Sequence, residues 1–214
     1  MKSNGIFAGG SGKIGNVVSC YRYGKYYMRT IPDKVKQPNS PKQLVARQKF
    51  RIAQVFTSKI KLFVKFGFAA YANNRSAYAA AISYLLNNSI KEDNSNIEID
   101  YSKVCVSMGT RPEVREVTMN YENNILSLKW NNLEDISQKY NNDSLAILLV
   151  DAEEQWYSSF FSKAVRSDYS VELMPVIPNH CNNVHVYLCL YSQSILSGNI
   201  EEEDISPSVY CGGL

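Results

Sequence analysis

The chain has 214 residues, 45% of them apolar and 12% aromatic, enough to bury a real core, so a globular protein of one large domain or two small ones is expected. Its formal net charge of +3 conceals a division: residues 1–90 carry 15 Lys and Arg against a single acid, Asp33, whereas residues 91–214 carry 8 against 19 Asp and Glu. No stretch approaches about 18 uninterrupted apolar residues, and the opening MKSNGIFAGGSGK lacks the apolar run of about 7 to 15 residues of a secretion signal, so neither a membrane span nor a signal peptide is expected.

The five cysteines, Cys20, Cys105, Cys181, Cys189 and Cys211, are odd in number and form no C-x-x-C. Reduced, mostly buried thiols fit this pattern better than a disulfide framework, which favours a reducing compartment such as the cytoplasm without assigning one.

In chain order, the first feature is Gly10-Ser-Gly-Lys-Ile-Gly-Asn-Val17, which has the G-x-G-x-x-G-x-V spacing of a phosphate-cradling loop. A dinucleotide fingerprint needs a strand before these glycines and a helix after them, because the helix N-terminus holds the pyrophosphate. Here only nine residues precede Gly10, and Asn16 onward is β-branched and aromatic. A Walker loop fails too, since Phe7 stands where its first Gly would be and Ile14 follows Gly12-Lys13. The kinase version lacks its His-Arg-Asp and Asp-Phe-Gly partners. Gly9, Gly10, Gly12 and Gly15 are therefore expected to serve tight turns at the entrance to a hairpin.

That hairpin is read from Asn16–Tyr23 and Tyr26–Ile31, two β-rich runs around Gly24-Lys25. Three prolines between Pro32 and Pro41 exclude regular structure, and Ser40-Pro41 then places an N-cap and a first helical residue. From Lys42 to about Lys65, Val45, Ala46, Phe50, Ala53, Phe56, Ile60, Phe63 and Val64 recur at threes and fours, opposite a densely basic side. Gly67 interrupts, and Asn73-Asn-Arg-Ser76 caps a second helix ending near Asn87.

Beyond Lys91 the period becomes two. Val114–Tyr121, Ile125–Trp130, Leu145–Val150, Tyr169–Met174, Val184–Leu190 and Ser208–Cys211 read as short strands separated by Asn, Asp, Gly and Pro clusters. Strands at this spacing with no helical pattern between them predict a two-sheet sandwich. The expected fold class is α+β: a basic module over residues 1–95, with a hairpin and two helices, then an acidic antiparallel β-sandwich over residues 96–214.

Ile125-Leu-Ser-Leu-Lys-Trp130 and His185-Val-Tyr-Leu-Cys-Leu190 resemble the Trp-bearing second strand and the tyrosine-bearing late strand of fibronectin type III and immunoglobulin-like modules. That resemblance implies a sandwich used for binding or spacing. Ser11–Val18, Gly24–Tyr27, and Gln43, Arg47 and Phe50 resemble an uncharacterised bacterial family that opens with a Ser-Gly-Lys-x-Gly-Asn-Val-Val hairpin and continues into a Gln-x-x-x-Arg-x-x-Phe helix. This second resemblance implies a layout across the chain and supplies no substrate.

Catalytic chemistry finds little material. His180, Cys181, His185 and Cys189 suggest zinc, but a strand rising about 3.3 Å per residue sets His185 and Cys189 roughly 13 Å apart, so one ion does not join them. Glu201-Glu-Glu-Asp204 lacks the alternating ligands and Gly of a calcium loop and reads as a solvated face. Asp151, Glu153 and Glu154 follow a strand into a turn, with nothing to set carboxylates across a cleft. No catalytic residue, metal ligand or cofactor is assigned.

The sharpest remaining signal is Tyr21-Arg-Tyr-Gly-Lys-Tyr-Tyr-Met-Arg29, where cations and aromatic rings interleave in sequence. Arg22, Lys25, Arg29, Arg47 and Lys49 are the expected charged contacts, with Tyr21, Tyr23, Tyr26 and Tyr27 as interface aromatics. The expected function is that of a non-enzymatic structural or interaction protein that binds a protein partner or other copies of itself through complementary charge. The alternative is nucleic-acid binding by the same residues, neutralising phosphates and stacking bases.

Overall fold

In the computed structural model the described residues are 11–22, 24–32, 40–72, 74–93, 96–132, 136–153, 156–193, 195 and 200–214. Gly9, Gly10, Tyr23, most of the proline-rich link, Asn73 and Glu154 lie outside them. Two compact units divide the chain, Met1–Leu44 and Val45–Leu214.

The first unit holds a three-stranded antiparallel sheet of β1 (Gly12–Ile14), β2 (Val17–Arg22) and β3 (Lys25–Thr30), in that spatial order. Ile14 pairs with Val17 across Gly15-Asn16, and Gly15 takes a φ of +59°, a left-handed conformation that costs a glycine little. The next turn is one residue earlier than expected. Arg22 pairs with Lys25, so β3 begins at Lys25 and Gly24, at φ +77°, closes the turn. Further on, Ser40 and Gln43 satisfy each other reciprocally: the Gln43 amide donates to Ser40 Oγ at 3.3 Å and the Ser40 amide to Gln43 Oε1 at 3.4 Å. This capping box starts α1 (Pro41–Lys59) at the expected Ser40-Pro41 step.

In the second unit, α1 is followed after a break at Ile60 by α2 (Lys61–Gly67), and then by α3 (Ala77–Asn88), whose Ser76 Oγ accepts from the Ala79 amide at 3.1 Å. Of the apolar positions read along α1 and α2, Ala53, Phe56, Ile60, Phe63 and Val64 are buried. Phe50 is 48% exposed, so the buried stripe starts at Ala53.

The remaining strands are β4 (Ile90–Asp93), β5 (Asn96–Ile99), β6 (Arg115–Glu122), β7 (Ile125–Asn131), β8 (Ser144–Asp151), β9 (Tyr157–Val165), β10 (Ser170–Leu173), β11 (Val184–Tyr191) and β12 (Val209–Gly213). β4 and β5 form a hairpin, β10-β7-β6 a three-stranded sheet and β12-β11-β8-β9 a four-stranded one, all antiparallel. The fold is thus α+β, with three helices and several antiparallel sheets among the described residues.

The four-stranded sheet lies between two cores. Leu145, Ile147 and Leu149 of β8, with Val184, Val186, Leu188 and Leu190 of β11, meet Leu126, Leu128 and Trp130 of β7. On the opposite face, Ala146, Leu148 and Val150, with Tyr187, Cys189 and Tyr191, meet Ala53, Phe56, Ile60, Phe63 and Val64 and the apolar side of α3. Every residue of β8 and β11 is consequently buried. The helices and these strands share one core, with each buried aliphatic side chain contributing about 1.5–3 kcal/mol.

Candidate functional site

Strand register sorts the side chains of the β1–β3 sheet onto its two faces, because residues paired across neighbouring strands project on the same side. Lys13, Val18 and Arg29 form one row, Cys20 and Tyr27 the next, and Arg22 and Lys25 a third. Successive rows lie about 7 Å apart. One face therefore presents four cations around Tyr27, which is 44% exposed.

The other face carries Ile14, Val17 and Thr30, then Gly12, Ser19 and Met28, then Tyr21 and Tyr26. Ile14, Tyr21, Tyr26 and Met28 are all more than half exposed, and the Tyr21 and Tyr26 rings sit 4.6 Å apart. A groove of about 420 Å³ runs along this face over Ser19. Cations and aromatics that interleave in sequence are thus separated in space, with Tyr27 alone of the described tyrosines among the cations. No acidic residue occurs among the described residues of the sheet.

The chain leaving Gly12 is extended through Lys13 and Ile14 and turns at Gly15 into β2. The dinucleotide and Walker forms of a phosphate-cradling loop require a helix N-terminus at that point; here a second strand follows.

Arg47 and Lys49 stand apart from this sheet in the chain, on α1 in the second compact unit. Lys49 is engaged: its Nζ lies 2.6 Å from Glu92 on β4. Lys59 on the same helix donates to the Ala152 carbonyl at 3.1 Å. Some of the positive charge of the helix is thus spent on contacts to residues beyond 90.

His185 is buried on β11, stacked on Tyr101 with ring centroids 3.9 Å apart and planes 9° from parallel. Its Nδ1 shares a hydrogen bond of 2.9 Å with the Tyr210 hydroxyl, and Tyr187 donates to the Tyr101 carbonyl at 2.8 Å. Burial pushes the imidazole below its ordinary value, with Asp151 opposing, so it is held neutral. Burial also pushes the Cys189 and Cys211 thiols up to about 12, which makes them poor nucleophiles. No three His, Cys, Asp or Glu side chains converge to hold a metal among the described residues.

Sequence reasoning missed a buried ionic cluster. Asp143 bonds Arg111 Nη2 through Oδ1 at 2.7 Å and Arg166 Nη2 through Oδ2 at 3.2 Å, and Arg166 is fully buried. Trp130 Nε1 donates to the Arg166 carbonyl at 3.0 Å, tying the cluster to β7. Its members are scattered along the chain, and no local pattern announces them.

One family matches the chain over residues 9–210, from ahead of β1 into β12. The chain belongs to the DUF6266 family, a family of unknown function. None of the curated proteins matches it. The DUF6266 match takes in the sheet of the first unit as well as the helices and packed sheets of the second. Among the described residues no helix is long and apolar enough to cross a membrane.

Proposed function

We propose that this protein is a non-enzymatic interaction protein that assembles through complementary charge, the basic face of the β1–β3 sheet meeting the acidic surface of residues 91–214 in another copy. The single observation that carries this reading is the gathering of Lys13, Arg22, Lys25 and Arg29 on one side of a small sheet. Coulombic steering needs no specific motif and favours a partner of opposite sign. Contact between unlike surfaces of identical copies is heterologous, so it builds rings or open chains.

The two packed sheets are, on this reading, a fibronectin type III-like sandwich that acts as a spacer. Support comes from the orders β10-β7-β6 and β12-β11-β8-β9 and from Trp130 of β7 between the sheets.

Light scattering across a salt series tests the assembly. A mass above the monomer at 0.01 M salt should fall as the screening length drops from about 30 Å to about 10 Å at 0.1 M. The Arg22→Glu/Lys25→Glu variant should be monomeric throughout. A wild-type monomer at every salt and protein concentration overturns the reading. Tyr27, exposed among the cations, favours single-stranded nucleic acid as the second reading. Wild type that stays monomeric yet binds a labelled oligonucleotide at low salt, with loss of binding in the same variant, would put that reading first.

A further inference from the structure

We infer that the pocket lined by Thr110, Arg111, Lys139, Tyr140 and Glu203 binds a small oxyanion, a phosphate or carboxylate group. The pocket measures about 430 Å³ and adjoins the buried Asp143 cluster through Arg111, a size within the range of about 300–1,000 Å³ of small-molecule sites. One carboxylate, Asp143, serves two guanidiniums, so the cluster behind the pocket holds one positive charge too many.

A third cation joins it at the rim. Arg111 Cζ and Lys139 Nζ approach the Tyr140 ring to 5.1 and 4.7 Å from its centroid, which brings two like charges to one aromatic ring. Glu203 also lines the pocket, and its backbone carbonyl accepts a hydrogen bond from Arg111 Nη1. The lining residues themselves carry two cations, Arg111 and Lys139, and one carboxylate, Glu203.

Donor capacity is also left over. Arg166 hands its Nη groups to Asp143 and to the carbonyls of Pro112 and Glu113, while its Nε and that of Arg111 are buried without an acceptor. Surplus buried positive charge next to a polar pocket is relieved by an anion, and guanidinium and ammonium groups make their strongest hydrogen bonds to oxyanions. Arg111 and Lys139 supply two donors of that kind around one space, and Thr110 adds a neutral hydroxyl to its lining. This site is independent of the β1–β3 sheet.

Titration with inorganic phosphate and, separately, acetate at fixed ionic strength tests it, read by thermal unfolding and, for phosphate, by 31P line width. Saturable stabilisation is expected in the wild type and unchanged in Arg22→Glu/Lys25→Glu, because a ligand that binds only the folded state raises the melting temperature. The exposed substitutions Lys139→Met and Thr110→Val, combined, should weaken the midpoint about tenfold or more. Saturation at lower phosphate than acetate assigns a phosphate group, and the reverse order a carboxylate. No saturable response to either anion, an undiminished response in Lys139→Met/Thr110→Val, or a response lost in the sheet variant instead overturns the inference.

Discussion

A buried histidine contributes to the pH response of this protein. His185 sits between the Tyr101 ring and the Tyr210 hydroxyl, and burial keeps it neutral. Above the ordinary imidazole value of about 6.5 both folded and unfolded states are neutral there, and it contributes no pH dependence. As pH falls below that value the unfolded chain takes up a proton that the folded one resists, so stability falls. The urea midpoint should therefore be lower at pH 5.5 than at pH 7.5, and His185→Gln should shrink the difference; an equal drop in the variant would place the titrating group elsewhere. The strand alternation of β11 is enough to separate His185 from Val184 and Val186. Its partners are not legible in that way, because Tyr210 is 25 residues along the chain and Tyr101 is on a different element.

Elements were legible where the local pattern had one physical cause. Ser40 and Ser76 stand at helix starts because a short hydroxyl can accept from the exposed amides of the first turn. β9 was not legible as a strand. Its adjacent Phe160 and Phe161 alternate onto opposite faces and meet different cores, Phe161 packing on Phe63 and Phe66, but Ser162 at φ +54° breaks the pattern where the register against β8 shifts. β8 and β11 offered a second difficulty, since burial on both faces makes their apolar runs continuous. At the end of α2, Gly67 does more than interrupt a helix. A Cβ there would lie 2.2 Å from the Val106 carbonyl, and the Gly67 carbonyl accepts from the Met108 amide at 2.9 Å. Gly67→Ala should thus cost about 3 kcal/mol or more through forced displacement of that segment, against about 1 kcal/mol for the lost cap in Ser76→Ala. Chemical denaturation of the two variants checks the order, and a Gly67→Ala protein as stable as Ser76→Ala would contradict it.

At the scale of the whole molecule, the charge boundary near residue 90 and the division between compact units at residues 44 and 45 are different things. Both hydrophobic cores belong to Val45–Leu214. A fragment beginning at Ser40, which retains the helix cap, should unfold cooperatively with the circular dichroism of packed helices and sheets while losing salt-sensitive association. A fragment that still associates would remove the sheet from the assembly. From sequence alone came the α+β class, the hairpin, the helix starts, most strands and the charge asymmetry, because backbone propensity, capping and periodicity act over a few neighbouring residues. Tertiary structure decided which face of the hairpin is basic, that β8 and β11 are covered twice, and that Arg111, Asp143 and Arg166 meet. Those outcomes depend on strand register and on contacts between residues far apart in the chain, and register and long-range burial leave no signature in a short window of sequence.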